Sequence, residues 1–98
     1  MEIRKILNGN ELLVAVEGRL DTTTAPQLED DVRSSIDGIK ELVFDFAKLE
    51  YISSAGLRVL LAMQKIMNKQ GSMTVRNVNE TVMEVFEITG FVDILTIE

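Results

Sequence analysis

The chain of 98 residues contains no cysteine, no histidine and no tryptophan, and only one proline. Without cysteine it can form neither a disulfide framework nor a thiol nucleophile. Without histidine it lacks the commonest general base and the commonest metal ligand. The sequence also has no glycine-rich phosphate loop, catalytic triad or cluster of metal ligands. We therefore expect a protein that is not an enzyme and that needs no cofactor or metal.

Positive charge is also scarce. Ten basic residues are scattered among sixteen acidic ones, which gives a formal net charge of −6. Nucleic acids and anionic membrane surfaces attract clustered lysine and arginine, so neither is an expected partner. No apolar run approaches the length of a membrane span, and the N-terminus lacks the apolar core of a signal peptide. These features predict a soluble cytoplasmic protein whose partner has a basic contact face.

What the chain does contain predicts one α/β domain over residues 1–98. Hydrophobic residues make up 46% of it, which is typical of a compact globule. The patterns predict the order ββαβαβαβ, with Asn8-Gly9 turning an N-terminal hairpin. We expect a mixed, mostly parallel sheet with three helices mainly on one face. The predicted strands are residues 2–7, 11–17, 41–46, 72–76 and 91–97, and the helices are 25–37, 57–69 and 80–88.

Capping residues set the expected ends of these helices. Thr24 with Gln27 fits a capping box at the start of the first helix. Asn79 is the predicted N-cap of the third helix, and Gly90 is expected to end it.

The segment YISSAGL, residues 51–57, is the most informative part of the chain. It places a small hydroxyl residue where a loop becomes a helix, and there free N–H groups and the helix dipole favour an added negative charge. A serine at this point could be phosphorylated without unwinding its own scaffold. Spacing alone favours the simpler explanation, that Ser53 or Ser54 is an ordinary N-cap.

Two segments resemble the STAS domains of bacterial anti-sigma factor antagonists. Residues 17–21, EGRLD, resemble the family's G-x-L-D motif at the end of a strand. Residues 46–57, FAKLEYISSAGL, resemble its D-[ST]-[SA]-G-L phosphoacceptor loop. The predicted order of elements matches the family along almost the whole chain.

The resemblance implies a function and a site. The unmodified protein would bind an anti-sigma factor that is also a serine kinase, and would thereby release a sigma factor. Phosphorylation of Ser54 would end this binding, and a serine phosphatase would restore it. By resemblance, Ser54 is the phosphoacceptor and Ser53 the cap. The implied partner-binding residues are Asp21, Thr22, Ser53, Ser54, Ala55, Gly56 and Leu57.

The chain departs from the family pattern in two places. Ser53 stands where many phosphorylated members have aspartate, and the sequence lacks the long C-terminal helix with which most relatives continue. The second departure leaves one sheet region less covered, or covered by a partner or a second copy. We expect a monomer or a weak dimer. Asp21 could instead be a turn residue that bonds its own backbone, and Gly56 could serve helix packing or access to Ser54.

Two other functions remain open from the sequence. One is a STAS adaptor subunit of a transporter or sensory complex that is never phosphorylated. The other is a small ligand-binding STAS domain.

Overall fold

The computed structural model describes all residues, 1–98, and it begins with a β-hairpin. Strand β1 (Glu2–Asn8) pairs antiparallel with β2 (Glu11–Leu20), in a register that runs from Asn8 opposite Glu11 to Glu2 opposite Glu17. Gly9 in the turn has φ 63°, a left-handed conformation that glycine adopts without steric cost. The predicted hairpin is confirmed.

The remaining elements alternate strand and helix. They are α1 (Ala25–Arg33), β3 (Glu41–Ile52), α2 (Ser54–Gln70), β4 (Ser72–Arg76) and α3 (Glu80–Thr89). The sheet order is β1-β2-β3-β4, with β2 parallel to β3 and β3 parallel to β4. The predicted α/β class, with a mostly parallel sheet and one antiparallel edge strand, is confirmed.

One face of the sheet forms the core, because alternate residues of each strand point to it. The helices bury their apolar stripes against that face, and Met63 and Met67 of α2 are fully enclosed. On the opposite face, Leu13, Ala15 and Val43 keep partial exposure. The main buried strand residues are Leu12, Val14, Val16, Leu42, Phe44, Phe46, Met73 and Val75.

The two central strands are longer than their apolar runs predict. Two register shifts, between Ala15 and Glu17 and between Gly18 and Arg19, let the β2–β3 ladder continue to the pair Leu20 and Ile52. Bulges of this kind insert a residue without ending the pairing. As a result, the loops that follow β2 and β3 leave the sheet side by side.

Helix α1 ends at Arg33, earlier than the predicted residue 37. The Asp31 carbonyl, in the last turn, accepts hydrogen bonds from the Ser34 hydroxyl at 2.8 Å and from the Lys5 ammonium at 3.0 Å. These side-chain donors offer the backbone an alternative to further helical bonds. Ile36 and Ile39 are nevertheless buried, from the turns that follow.

The predicted strand at residues 91–97 is wrong. Gly90 has φ 80° and ends α3, after which Phe91–Asp93 forms a 3-10 turn. The Phe91 carbonyl accepts from the N–H groups of Ile94 and Leu95, so this backbone bonds locally instead of joining the sheet. Only a single parallel bridge, between Ile97 and Val75, extends the sheet here.

No helix in the structure is both long and apolar enough to cross a membrane.

Candidate functional site

The candidate site lies where β3 ends and α2 begins. Ser53 links the two in an extended conformation, with φ −101° and ψ 178°, and Ser54 is the first helical residue. The Ser53 N–H donates to the Leu20 carbonyl at 2.9 Å, which ties this junction to the end of β2. Ser54 is exposed to solvent. The two motifs, far apart in sequence, therefore meet at one edge of the sheet.

Ser53 occupies the N-cap position of α2, as predicted, but its side chain makes no capping hydrogen bond. Its Oγ is buried and has no hydrogen-bond partner. The first N–H groups of any helix lack intrahelical partners, and here no side chain supplies an acceptor for them. The start of α2 therefore keeps free hydrogen-bonding capacity and the positive end of the helix dipole beside Ser54.

Gly56 holds this helix start close to the sheet. A Cβ at this position would lie 2.8 Å from Ile52 Cγ1 and 2.8 Å from Leu20 Cγ. Gly56 is buried and Leu57 is only 5% exposed. The packing explanation for Gly56 is confirmed. Neither residue presents a side chain to solvent, so both support the position of Ser54 from beneath.

Asp21 organises the neighbouring loop. Its Oδ1 accepts hydrogen bonds from the Thr23 hydroxyl at 2.7 Å, from the Thr23 N–H at 3.0 Å and from the Thr24 N–H at 3.3 Å. The Thr23 hydroxyl bond is the main cause that lowers the pKa of Asp21, and the backbone bonds add to it. Asp21 is therefore a turn residue that bonds its own backbone. It is also partly exposed, and it directly follows Leu20, whose carbonyl accepts from the Ser53 N–H at the junction.

The predicted capping box of Thr24 and Gln27 does not form. Thr24 is the N-cap residue, but its Oγ1 donates to the Arg19 carbonyl at 2.8 Å and accepts from the Asp21 N–H at 2.9 Å. The Asp21 turn thus takes up the hydroxyl that a capping box would need.

Arg19 and Tyr51 flank this site, and the sequence patterns did not single them out. They are opposite each other in the β2–β3 register, and the Arg19 guanidinium carbon lies 4.5 Å from the centre of the Tyr51 ring. The Arg19 Nε is also 3.9 Å from Asp21 Oδ2. Cation–π contacts of this kind become visible only once strand register is known.

A groove of about 340 Å³ runs between α1 and α2 beside Ser54. Thr22 and Ala55, both predicted partner-binding residues, line its end nearest the site. Arg58 of α2 also lines it; its spacing of four residues from Ser54 was the signal in the sequence that could have identified it. The other lining residues are Ala25, Pro26, Glu29, Asp30 and Val59.

Comparison with known proteins identifies the family. A family model described as the STAS domain matches residues 2–98. BtrV of Bordetella bronchiseptica, by its name a candidate anti-sigma factor antagonist, is 38% identical over 88% of this chain and 76% of its own length. The anti-sigma-B factor antagonist of Bacillus subtilis is 31% identical over 92% of this chain and 84% of its own.

A solved relative has the same fold. The anti-sigma factor antagonist SpoIIAA in its unphosphorylated form superposes with a TM-score of 0.78 at 15% identity, covering 99% of this chain and 87% of that one. The phosphorylated form of Bacillus SpoIIAA gives 0.77 at 16% identity, covering 99% and 91%. The chain belongs to the STAS domain family.

Proposed function

We propose that this protein is an anti-sigma factor antagonist that is switched by phosphorylation of Ser54. The unmodified form binds an anti-sigma factor that is also a serine kinase, and this binding releases a sigma factor. Phosphorylation ends the interaction and a serine phosphatase reverses it. The protein supplies the hydroxyl, and its partners perform the chemistry. A sigma factor acts at transcription, so the proposed place of action is the cytoplasm.

The observation that carries the proposal is the position of Ser54. It is exposed at the uncapped start of α2, in the loop that resembles the family's phosphoacceptor segment. Curated relatives with substantial identity along most of the chain are named anti-sigma factor antagonists. The proposed partner surface consists of the exposed or partly exposed residues Asp21, Thr22, Ser53, Ser54 and Ala55, with Gly56 and Leu57 holding them in place from the core.

The proposed loss of binding follows from the different surroundings of the phosphate in the free protein and in the complex. A phosphoserine adds roughly −1.5 to −2 charges near neutral pH. In the free protein, those charges lie in water beside the positive end of the α2 dipole, so the fold tolerates them. In a protein–protein interface, the same charges must lose water beside the ionised Asp21 carboxylate, which costs several kcal/mol by order of magnitude. Binding should therefore be lost while the fold persists.

The solved forms of SpoIIAA support a switch without refolding. This chain superposes on the unphosphorylated form with a TM-score of 0.78 and on the phosphorylated form with a TM-score of 0.77, so both forms have the fold of this chain. A local change of charge and bulk is then enough to explain a change of partner.

The test of the phosphoacceptor uses the proposed partner, an anti-sigma factor serine kinase from the same organism. After incubation with ATP, intact mass should show one added phosphate, and peptide mapping should locate it on Ser54. Ser54→Ala should remain unmodified, whereas Ser53→Ala, one residue away, should still gain one phosphate on Ser54. Phosphate on Ser53, on a threonine of residues 22–24, or nowhere would reject the assignment.

The test of the switch is binding to the same kinase by calorimetry. Ser54→Ala should bind as the unmodified protein does, and the phosphorylated protein should not bind measurably. Asp21→Ala should bind at least tenfold more weakly, which corresponds to a loss of about 1.4 kcal/mol. Undiminished binding by the phosphorylated form would instead favour an adaptor that phosphorylation does not control.

A further inference from the structure

The exposed face of α2 places a basic side chain one helical turn from Ser54. Ser54 is the first residue of the helix, Arg58 follows four residues later, and both are exposed. Side chains at this spacing lie on the same face of a helix, with Cβ atoms about 5–6 Å apart. An acidic group that precedes a basic group by four residues is also the favourable order for such a pair. The backbone therefore places Arg58 within reach of any group attached to the Ser54 oxygen.

Arg58 has no ionic partner in the unmodified protein. The two ion pairs of the structure join Arg19 to Asp21 and Arg33 to Glu29. Glu29, which faces Arg58 across the groove, is bonded to Arg33 at 2.8 Å. Arg58 is thus a free cation beside the proposed phosphoacceptor.

The charged residues around Arg58 are acidic on α1 and distant on α2. Across the groove, α1 presents the acidic residues Glu29 and Asp30. On α2 itself, the next basic residue is Lys65, three turns beyond Ser54. Arg58 is consequently the only positive side chain on the part of α2 that lies near Ser54.

We propose that Arg58 holds the phosphate on Ser54 in the modified protein. The guanidinium would donate hydrogen bonds to phosphate oxygens from one side, in the planar geometry that suits arginine and phosphate. The uncapped N–H groups at the start of α2 would face the same phosphate from the other side. Arg58 is a positioning residue in this scheme, because it fixes the direction of the phosphate and takes no part in its transfer.

This inference deepens the proposed function and rests on it. It predicts that the phosphate of the modified protein is ordered along α2. It also predicts that the Arg58 guanidinium, which has no ionic partner before modification, forms an ion pair with that phosphate. Phosphorylation of Ser54 therefore adds a negative charge to the site and also neutralises the positive charge of Arg58.

The experiment measures the second pKa of the phosphate by ³¹P NMR. Phosphoserine is installed at position 54 of the full chain by genetic-code expansion, so that no kinase is needed. A neighbouring cation stabilises the dianion, so the phosphate of the otherwise wild-type protein should have a pKa lower than that of Arg58→Gln by about 0.3 units. Arg58→Lys should retain part of this shift, and high salt should reduce it.

The matched control is Lys65→Gln, which removes the same charge from the same helix away from Ser54. Its phosphate should titrate like that of the otherwise wild-type protein. Equal pKa values in Arg58→Gln and wild type, or an equally large change in Lys65→Gln, would overturn the proposed contact. The separate kinase assay keeps the two proposals distinguishable: an unphosphorylated Ser54 there rejects the switch, whereas a missing pKa shift here rejects only the role of Arg58.

Discussion

The starts of α2 and α3 differ in how they satisfy the first N–H groups of the helix, which lack intrahelical partners. Asn79 caps α3: its Oδ1 accepts from the Val82 N–H at 2.8 Å, and its Nδ2 donates to the Leu49 carbonyl at 2.7 Å. Glu80 adds an acidic group to the first turn. At α2, Ser53 provides no such bond and the first turn has no acidic residue.

The difference separates a helix start that is already satisfied from one that can accept charge. The α3 start has an acceptor for its N–H groups and a negative charge for its dipole, so a further anion would gain little there. The α2 start has neither, and it is held instead by the packing of Gly56 against Leu20 and Ile52. A modifiable serine at such a start can take a phosphate at low cost.

The largest effect should come from breaking the packing that holds α2. Gly56→Val would place carbon atoms against Leu20 and Ile52, which should destabilise the protein by about 3 kcal/mol. Valine is a better helix former than glycine, but that gain is below about 1 kcal/mol and does not offset the clash. Urea unfolding measures the change. The control Ala55→Val, at the adjacent partly buried position, should cost much less, and an equal cost would show that packing at Gly56 is not special.

The next effect contrasts the two N-caps directly. Asn79→Ala removes the acceptor for the Val82 N–H and the donor to Leu49, so it should cost about 1–2 kcal/mol. Ser53→Ala removes a hydroxyl that makes no hydrogen bond, so its cost should stay within about 0.5 kcal/mol. Both losses of unfolding free energy can be calculated from the midpoints of chemical unfolding, provided that the denaturant slope is the same in each variant. Equal losses in the two variants would contradict the difference between the helix starts.

A smaller effect should come from adding charge to α2 and removing it from α3. Ser54→Asp should stabilise the protein by about 0.3–1 kcal/mol, because the carboxylate meets the positive end of the dipole. Glu80→Gln should destabilise it by a similar amount. Thermal melts at low and high salt test both, since salt screens dipole interactions of exposed groups. Destabilisation by Ser54→Asp would contradict an accepting helix start.

The smallest effect concerns the acid dependence of stability. The pKa of Asp21 is lowered from its ordinary value of 3.8, mainly by the Thr23 hydroxyl. Its contribution to stability is therefore complete above pH 3.8, where the unfolded carboxyl is also ionised, and is lost as pH falls through the folded value. Asp21→Asn should be less stable than wild type near pH 6, and the difference should shrink below pH 3.8.

Unfolding curves across that pH range measure the difference. Asp45, whose pKa is lowered chiefly by the Asn77 amide, remains in both proteins and gives each the same residual acid dependence. A constant difference between the two proteins at all pH values would show that the ionised carboxylate is not the stabilising form.

Local signals in the sequence gave reliable predictions where the responsible atoms are close in the chain. Asn8-Gly9 turned the hairpin, Asn79 capped α3 and Gly90 ended it, because each acts on its own backbone. The same kind of signal failed at Thr24, where the Arg19 carbonyl and the Asp21 N–H compete for the hydroxyl. It failed again at residues 91–97, where an apolar run bonds locally instead of joining the sheet.

In the candidate site, too, features set by neighbouring residues could be predicted, and features set by distant residues could not. A serine at this strand–helix junction could be located from the sequence, because a hydroxyl there is a local pattern, and the family resemblance then selected Ser54 rather than Ser53. The buried, unpaired Ser53 hydroxyl and the pairing of Arg19 with Tyr51 could not, because they depend on which residues lie opposite each other across the sheet.

The amino-acid sequence by itself determined the α/β class, the hairpin, the start and end of α3, and the serine at the head of α2. These follow from backbone preferences and periodicities that act within a few residues. Only the tertiary structure decided that the loops after β2 and β3 leave the sheet together, because the two register shifts that align Leu20 with Ile52 leave no mark in local composition. That alignment brings Asp21 beside the Ser53–Ser54 junction, and packing against the same two side chains requires glycine at position 56.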